Sequence, residues 1–67
     1  MKLSARNQIP ARVVSVTTGE AIANVVLDAG GVRLVASITV EAVRDLGITE
    51  GSEVTTLIKA SDVILGK

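Results

Sequence analysis

The chain contains no aromatic residue, no histidine and no cysteine, so its interior can be built only from aliphatic side chains. Its 67 residues are enough for one small domain. A domain of this size buries only about 60% of its unfolded surface. It commonly needs a disulfide, a structural metal or a partner subunit for stability. Because disulfides and cysteine- or histidine-based zinc sites are excluded, we expect part of the aliphatic surface to be buried against copies of the same chain.

The same absences argue against several functions. Without imidazole or thiolate the usual nucleophile–base pairs cannot be built, and the carboxylates are scattered over predicted turns and an exposed helix, so we predict that the protein is not an enzyme. Seven basic and seven acidic residues balance, and no ring can stack on a base, which argues against nucleic-acid binding.

No apolar run approaches the roughly 20 residues of a membrane span. The start lacks the apolar stretch of a signal peptide, so we expect no membrane partner and a cytoplasmic location.

Alternating apolar residues and turn signals predict five strands and one helix. Thr39 can cap the helix, Val40, Val43 and Leu46 lie three apart on one side of it, and Gly47 suits a left-handed C-terminal cap. The predicted strands are 7–18, 21–27, 32–38, 53–58 and 60–65, separated by turn signals such as Asp28-Ala29-Gly30-Gly31.

This β-β-β-α-β-β order predicts an all-β fold with one short helix, arranged as a small Greek-key barrel. A two-layer α+β sandwich is the structural alternative. There is no linker, low-complexity tract or internal repeat, so residues 1–67 are expected to form a single domain.

Two short clusters combine basic and hydroxyl side chains near opposite ends of the chain, Ser4-Ala5-Arg6-Asn7 and Lys59-Ala60-Ser61. Hydroxyls, backbone N–H groups and fixed positive charge are suited to holding an oxyanion. Together with three segments between them, these clusters make the whole chain resemble the molbindins, which are small molybdate-binding Mop proteins. The three segments are Val35-Ala36-Ser37-Ile38-Thr39, Leu46-Gly47-Ile48 and Leu57-Ile58. The chain is also similar to the related domain of molybdate-importer ATPases and molybdate-responsive regulators.

The resemblance implies an OB-like five-stranded Greek-key barrel that assembles as a hexamer, a trimer of dimers, with molybdate or tungstate bound between subunits. It implies no cofactor and no directly coordinated metal, and a role in storage, buffering or homeostasis. The implied oxyanion ligands are Ser4, Ala5 and Arg6, with the late cluster of Lys59, Ala60 and Ser61 supplied by a neighbouring subunit. A family hydroxyl is replaced by Ala42, whose backbone N–H lies in the first helical turn and is expected to contribute instead.

A second class of site is implied around the turn after the first strand, at Glu20, Ala21, Ile22, Ala23 and Asn24, although Glu20 would repel an anion. The alternative function is that of an oligomeric interaction or regulatory module that assembles without a ligand.

Overall fold

The computed structural model describes residues 4–67, and within them the fold is mostly β with one short helix, as predicted. The α+β sandwich is not observed. The elements are β1 (Asn7–Thr18), β2 (Ile22–Ala29), β3 (Val32–Thr39), α1 (Val40–Leu46), β4 (Glu53–Ile58) and a 3-10 turn (Ala60–Asp62).

The four strands form one antiparallel sheet in the order β3-β2-β1-β4. The 12-residue strand β1 is shared, because its first half pairs with β4 and its second half with β2. The change of partner coincides with an irregularity in the β1–β2 register between Val13 and Ser15. There the Val13 N–H donates to the Ser52 carbonyl and the Gly51 N–H donates to the Val13 carbonyl, both at 2.8 Å. These bonds satisfy backbone groups at a point where the ladder is interrupted.

The core is entirely aliphatic and lies on one face of the sheet, beneath the helix. Val13 and Ala23 are almost fully buried, and Val43 is the helix residue that joins them. Alternate residues of β2 are buried, which is the period of two expected for a sheet with one covered face. The buried set is Ala11, Val13, Ala23, Val25, Leu27 and Val43.

Both predicted helix caps are confirmed. The Thr39 Oγ1 accepts a hydrogen bond from the Ala42 N–H at 3.0 Å, which satisfies one of the free donors at a helix start. At the other end Gly47 has φ 63°, and its N–H donates to the Arg44 carbonyl at 3.1 Å. The helix therefore begins and ends where its sequence predicts.

The tight connection between β2 and β3 also follows its sequence signal. The Asp28 Oδ1 accepts a hydrogen bond from the Gly31 N–H at 2.9 Å, and Gly30 and Gly31 both have positive φ. Strand β2 runs from Ile22 to Ala29 rather than over 21–27, because the turn uses only these two glycines.

The predicted fifth strand at 60–65 is wrong for this chain. Ala60–Asp62 forms a 3-10 turn in which the Asp62 N–H donates to the Lys59 carbonyl at 2.9 Å. Residues 63–67 form no regular structure. The sheet is consequently open, with β3 and β4 as its two edges, instead of a closed five-stranded barrel. Within residues 4–67, no helix is long and apolar enough to cross a bilayer.

Candidate functional site

Pairing of β1 with β4 brings the two basic clusters together in one chain. The last pair of this ladder is Asn7 with Ile58. Arg6 immediately precedes Asn7 and Lys59 immediately follows Ile58, so the two cationic residues flank the same end of an antiparallel ladder. Strands in such a ladder are about 4.8 Å apart. The backbone at positions 6 and 59, which are 53 residues apart in the sequence, therefore meets at the same end of the sheet within one chain.

Asn7 fixes this end of the ladder with its side chain. Its Nδ2 donates to the Ile58 carbonyl at 3.0 Å, next to the last backbone pair. A longer contact of 3.5 Å joins the Gln8 Nε2 to the Ala5 carbonyl. The sequence motif contains Asn7 but predicts no role for it. Its hydrogen-bond partner, Ile58, lies 51 residues away, and local sequence patterns do not indicate such a contact. Asn7 therefore ties the start of β1 to the end of β4, at the residues that adjoin Arg6 and Lys59 in the sequence.

The turn after β4 supplies the remaining predicted donors. Lys59 precedes the 3-10 turn with extended backbone angles, φ −66° and ψ 143°. The first N–H groups of a helical turn have no acceptor within that turn, so those of Ala60 and Ser61 suit an external acceptor. Asp62 is a carboxylate in the same turn, which partly offsets the positive charge of Lys59.

The cluster is open to solvent in a single chain. Ser4, Arg6, Lys59, Ala60 and Ser61 are all exposed, and Ala5 is half-buried. Within residues 4–67 no side-chain hydrogen bond occupies the hydroxyl of Ser4 or Ser61, or the charged group of Arg6 or Lys59. These donors are therefore available to a ligand, although water competes for them.

Ala42 does not join this cluster in the same chain. It lies in the first turn of α1, which follows β3 at the sheet end where β1 finishes, whereas Arg6 stands at the end where β1 begins. Its N–H is also already bonded to the Thr39 hydroxyl. Ala42 could approach an Arg6 cluster only from another copy of the chain.

The predicted second segment, 20–24, lies at the same end of the sheet as Ala42. The Val40 N–H donates to the Ala21 carbonyl at 2.8 Å, Ala23 is fully buried, and the Ser37 Oγ donates to the Asn24 Oδ1 at 2.6 Å. The polar groups of this segment are thus used to join β2, β3 and the helix.

Charges in two further cavities are unfavourable to an anion. A cavity of about 320 Å³ beside Glu20 is lined also by Glu41 and Arg44. Another, of about 490 Å³, contains Arg12 between two carboxylates, Asp28 and Glu53. In each cavity two negative groups face one guanidinium, so neither matches the donor-rich end of the β1–β4 ladder.

A third cavity is apolar and lies between the two edges of the open sheet. Its volume is about 250 Å³. Ile38 of β3 and Leu57 of β4 line opposite sides, and Leu46 and Ile48 contribute from the end of the helix. No cationic residue lines this cavity, so it is separate from the cluster of basic and hydroxyl residues at the end of the β1–β4 ladder.

Comparisons with known proteins show the family and the fold that the chain shares with others. The family model described as the TOBE domain matches residues 3–65. A molybdenum-pterin-binding protein 3 of Clostridium pasteurianum is 44% identical over 66 residues, covering 97% of both chains. The solved structure of a molybdate-binding protein from Sporomusa ovata superposes with a TM-score of 0.96 at 40% identity, covering 100% of both chains. That of MopII from Clostridium pasteurianum gives 0.91 at 37% identity, covering 98% of this chain and 100% of the other.

Proposed function

Because the chain belongs to the TOBE domain family, we propose that it is a non-enzymatic binding protein for molybdate or tungstate. The family membership agrees with the resemblance drawn from the sequence. The observation that carries the proposal is the position of Arg6 and Lys59, which both follow directly beyond the Asn7–Ile58 pair at one end of the β1–β4 ladder. Relatives of similar length are named for binding molybdenum-pterin or molybdate, which supports the same ligand class here.

The donors at this end of the sheet fit a tetrahedral dianion. Molybdate presents four oxygen acceptors and no donor at neutral pH, so its site must supply donors. Arg6 offers a planar fork with permanent charge, and Lys59 offers a compact charge on a flexible stem. Ser4 and Ser61 can rotate their hydroxyls to donate. The N–H groups of Ala5 and Ala60 add donors without bulky side chains.

Exposure of the cluster supports a site completed by a second copy of the chain. Charged hydrogen bonds gain strength when water is excluded, yet Arg6 and Lys59 are both exposed in one chain. We therefore place the bound anion between subunits of a homo-oligomer, a hexamer built as a trimer of dimers, in which Ala42 of one chain approaches Arg6 of another. Cytoplasmic storage, buffering or homeostasis of the anion is the role that we assign to it.

Calorimetric titration of the purified chain with molybdate tests this function. We expect saturable binding of molybdate and tungstate, and a melting temperature that rises with the logarithm of their concentration. Sulfate, a smaller tetrahedral dianion, is the control for unspecific charge attraction. Absence of both heat and thermal shift with molybdate would contradict the proposal, as would equal affinity for sulfate.

One observation favours the alternative, an interaction module that assembles without a ligand. Aliphatic side chains remain on the surface, including Leu46, with 71% of its area exposed. Such a surface can hold an assembly together without an anion. Elemental analysis of the protein purified from molybdate-supplemented cells separates the two functions, because only a binder carries stoichiometric molybdenum or tungsten.

A further inference from the structure

Four charged side chains, here called the charge row, cross the outer face of the sheet in one line. The strand register pairs Arg33 with Asp28, Asp28 with Arg12, and Arg12 with Glu53. Directly opposite residues of neighbouring strands lie on the same face of a sheet, so the charge row runs through β3, β2, β1 and β4 in turn. All four residues are exposed, and their signs alternate from one edge of the sheet to the other.

Hydrogen bonds within the chain do not use these charges to join the strands. None of the side-chain hydrogen bonds formed by residues 4–67 links two members of the charge row. Asp28 accepts from the Gly31 N–H of its own turn through Oδ1. Exposed ion pairs contribute little to the stability of a single chain, so the charge row is open to charged groups from outside the chain.

The cavity of about 490 Å³ on this face has an excess of negative charge. Among residues 4–67 its wall contains the carboxylates of Asp28 and Glu53 and a single guanidinium, that of Arg12. Arg33 completes the charge row on β3, at the edge of the sheet opposite to β4, and does not line the cavity. The cavity therefore favours a cationic side chain that its own chain does not supply.

The order of signs makes the charge row complementary to a second copy of itself. From β3 to β4 the signs are positive, negative, positive and negative. A copy turned by 180° about an axis parallel to the strands presents the same row in the reverse order. With the two faces opposed, Arg33 meets Glu53 of the second copy and Asp28 meets its Arg12, each contact occurring twice. Such a contact is isologous, as in a two-fold dimer interface.

Apolar side chains beside the charge row are covered by the same contact. Val26 and Val35 are paired with each other and lie two residues from Asp28 and Arg33, hence on the same face. Val35 exposes 55% of its surface. Two sheets that pack face to face lie about 10 Å apart, which is close enough to exclude water from these valines. A small cation would balance the charge of the cavity but would leave Val35 exposed, so a second sheet is the better occupant.

We propose that two copies of the chain associate through the outer faces of their sheets, with the charge row of one laid in reverse order on the charge row of the other. This face lies away from Arg6 and Lys59, which stand at the start of β1 and the end of β4. The association needs no anion, so it goes beyond the proposed function and stands or falls separately from it.

Charge reversal in two separate chains tests the association. Arg33→Glu opposes two carboxylates across the interface and Glu53→Arg opposes two guanidiniums, so each variant alone should self-associate at least about tenfold more weakly than the wild type. An equimolar mixture restores opposite charges at every contact and should recover the wild-type molar mass in light scattering. Arg44→Glu and Glu50→Arg are the matched control pair, because both positions are exposed and lie outside the strands. These controls should keep the wild-type mass, alone and mixed.

Either of two results in this experiment would overturn the proposal: single variants that keep the wild-type mass, or a mixture that stays as small as its components. Circular dichroism of each variant shows that a lower mass does not come from unfolding.

The double variant separates association between chains from pairing within one sheet. Arg33→Glu combined with Glu53→Arg in one chain keeps all four contacts between copies opposite in sign, but it places like charges beside Asp28 and Arg12 of the same sheet. We expect a lower melting temperature with the wild-type mass. A mass as low as that of the single variants would show that the charge row serves only its own sheet.

Salt gives a further check that uses the unaltered chain. The association should weaken from about 0.01 M to about 1 M salt, because the screening length falls from about 30 Å to about 3 Å, and a mass that does not respond to salt would contradict it. Molybdate calorimetry on the same samples identifies which idea fails. A wild type that associates as expected but binds no molybdate contradicts only the proposed function.

Discussion

At the end of the sheet where β1 begins, exposed polar groups are free to bind an external ligand. At the end where β1 finishes, the polar groups form hydrogen bonds within the fold. Arg6 and Lys59 lie just beyond the Asn7–Ile58 pair that ends the β1–β4 ladder, and both are exposed. At the other end the Thr39 hydroxyl bonds the Ala42 N–H at 3.0 Å, and the Ser37 hydroxyl bonds Asn24 at 2.6 Å. The comparison teaches that a hydrogen-bond donor seen in the sequence can belong to a binding site only if it is not already used to stabilise the fold.

The difference between the two ends of the sheet is tested most strongly by removing one guanidinium group from each end in turn. We expect Arg6→Ala to weaken molybdate binding about 10- to 100-fold, because hydrogen bonds to charged groups contribute about 1.5–3 kcal/mol. Arg44→Ala, at the opposite end, should leave the affinity unchanged. Calorimetry gives both affinities, and circular dichroism checks that the fold persists. Equal losses for the two variants would mean that anion binding follows total charge and has no fixed place on the sheet.

Lys59→Ala should have a smaller effect, a loss of about 3- to 10-fold, since a single flexible ammonium lacks the two-pronged geometry of Arg6. If both residues contact one anion, the double variant Arg6→Ala with Lys59→Ala should lose less than the sum of the two free-energy changes, because contacts to a shared partner couple. Strictly additive losses in the calorimetric cycle would place the two cations at separate anions.

Local sequence signals were sufficient for the caps, the hairpin glycines and four of the five strands. Thr39, Gly47 and Asp28 act through neighbours three or four residues away, so their roles are encoded within a short window. The composition at 63–65 also predicts a strand, but a strand forms only where an edge is available to pair with. In one chain the turn after Lys59 leads that segment into solvent.

The candidate site was only partly accessible from the sequence, for a related reason. The family motif identified Arg6 and Lys59, but their proximity depends on the register of β1 with β4, which no local pattern fixes. The sequence led us to expect that the Ala42 N–H binds an anion. However, Thr39, only three residues earlier, already accepts a hydrogen bond from this N–H.

Thr39→Ala tests whether a polar group at the end of the sheet where β1 finishes contributes to stability alone and not to anion binding. Loss of the N-cap should cost about 1 kcal/mol, which corresponds to a melting temperature lower by about 4–8 °C in a domain of this size. Molybdate affinity should stay within twofold of the wild type, because the Thr39 hydroxyl serves the helix and not the anion. Thr39→Ser keeps the capping oxygen and should restore most of the stability. A variant that melts normally but binds molybdate poorly would move Thr39 into the binding site.

The smallest expected effect comes from Glu20→Gln, which tests whether the second segment is an anion site hidden by repulsion. If the carboxylate alone prevented binding, its removal would add a second binding event in calorimetry. We expect none, because the nearby donors are already used within the fold: the Ser37 hydroxyl donates to Asn24 and the Val40 N–H donates to the Ala21 carbonyl. Glu50→Gln, in an exposed turn, is the control for a general change of surface charge, which salt screens beyond about 10 Å. An extra anion bound per chain in Glu20→Gln but not in Glu50→Gln would show that both ends of β1 can hold an oxyanion.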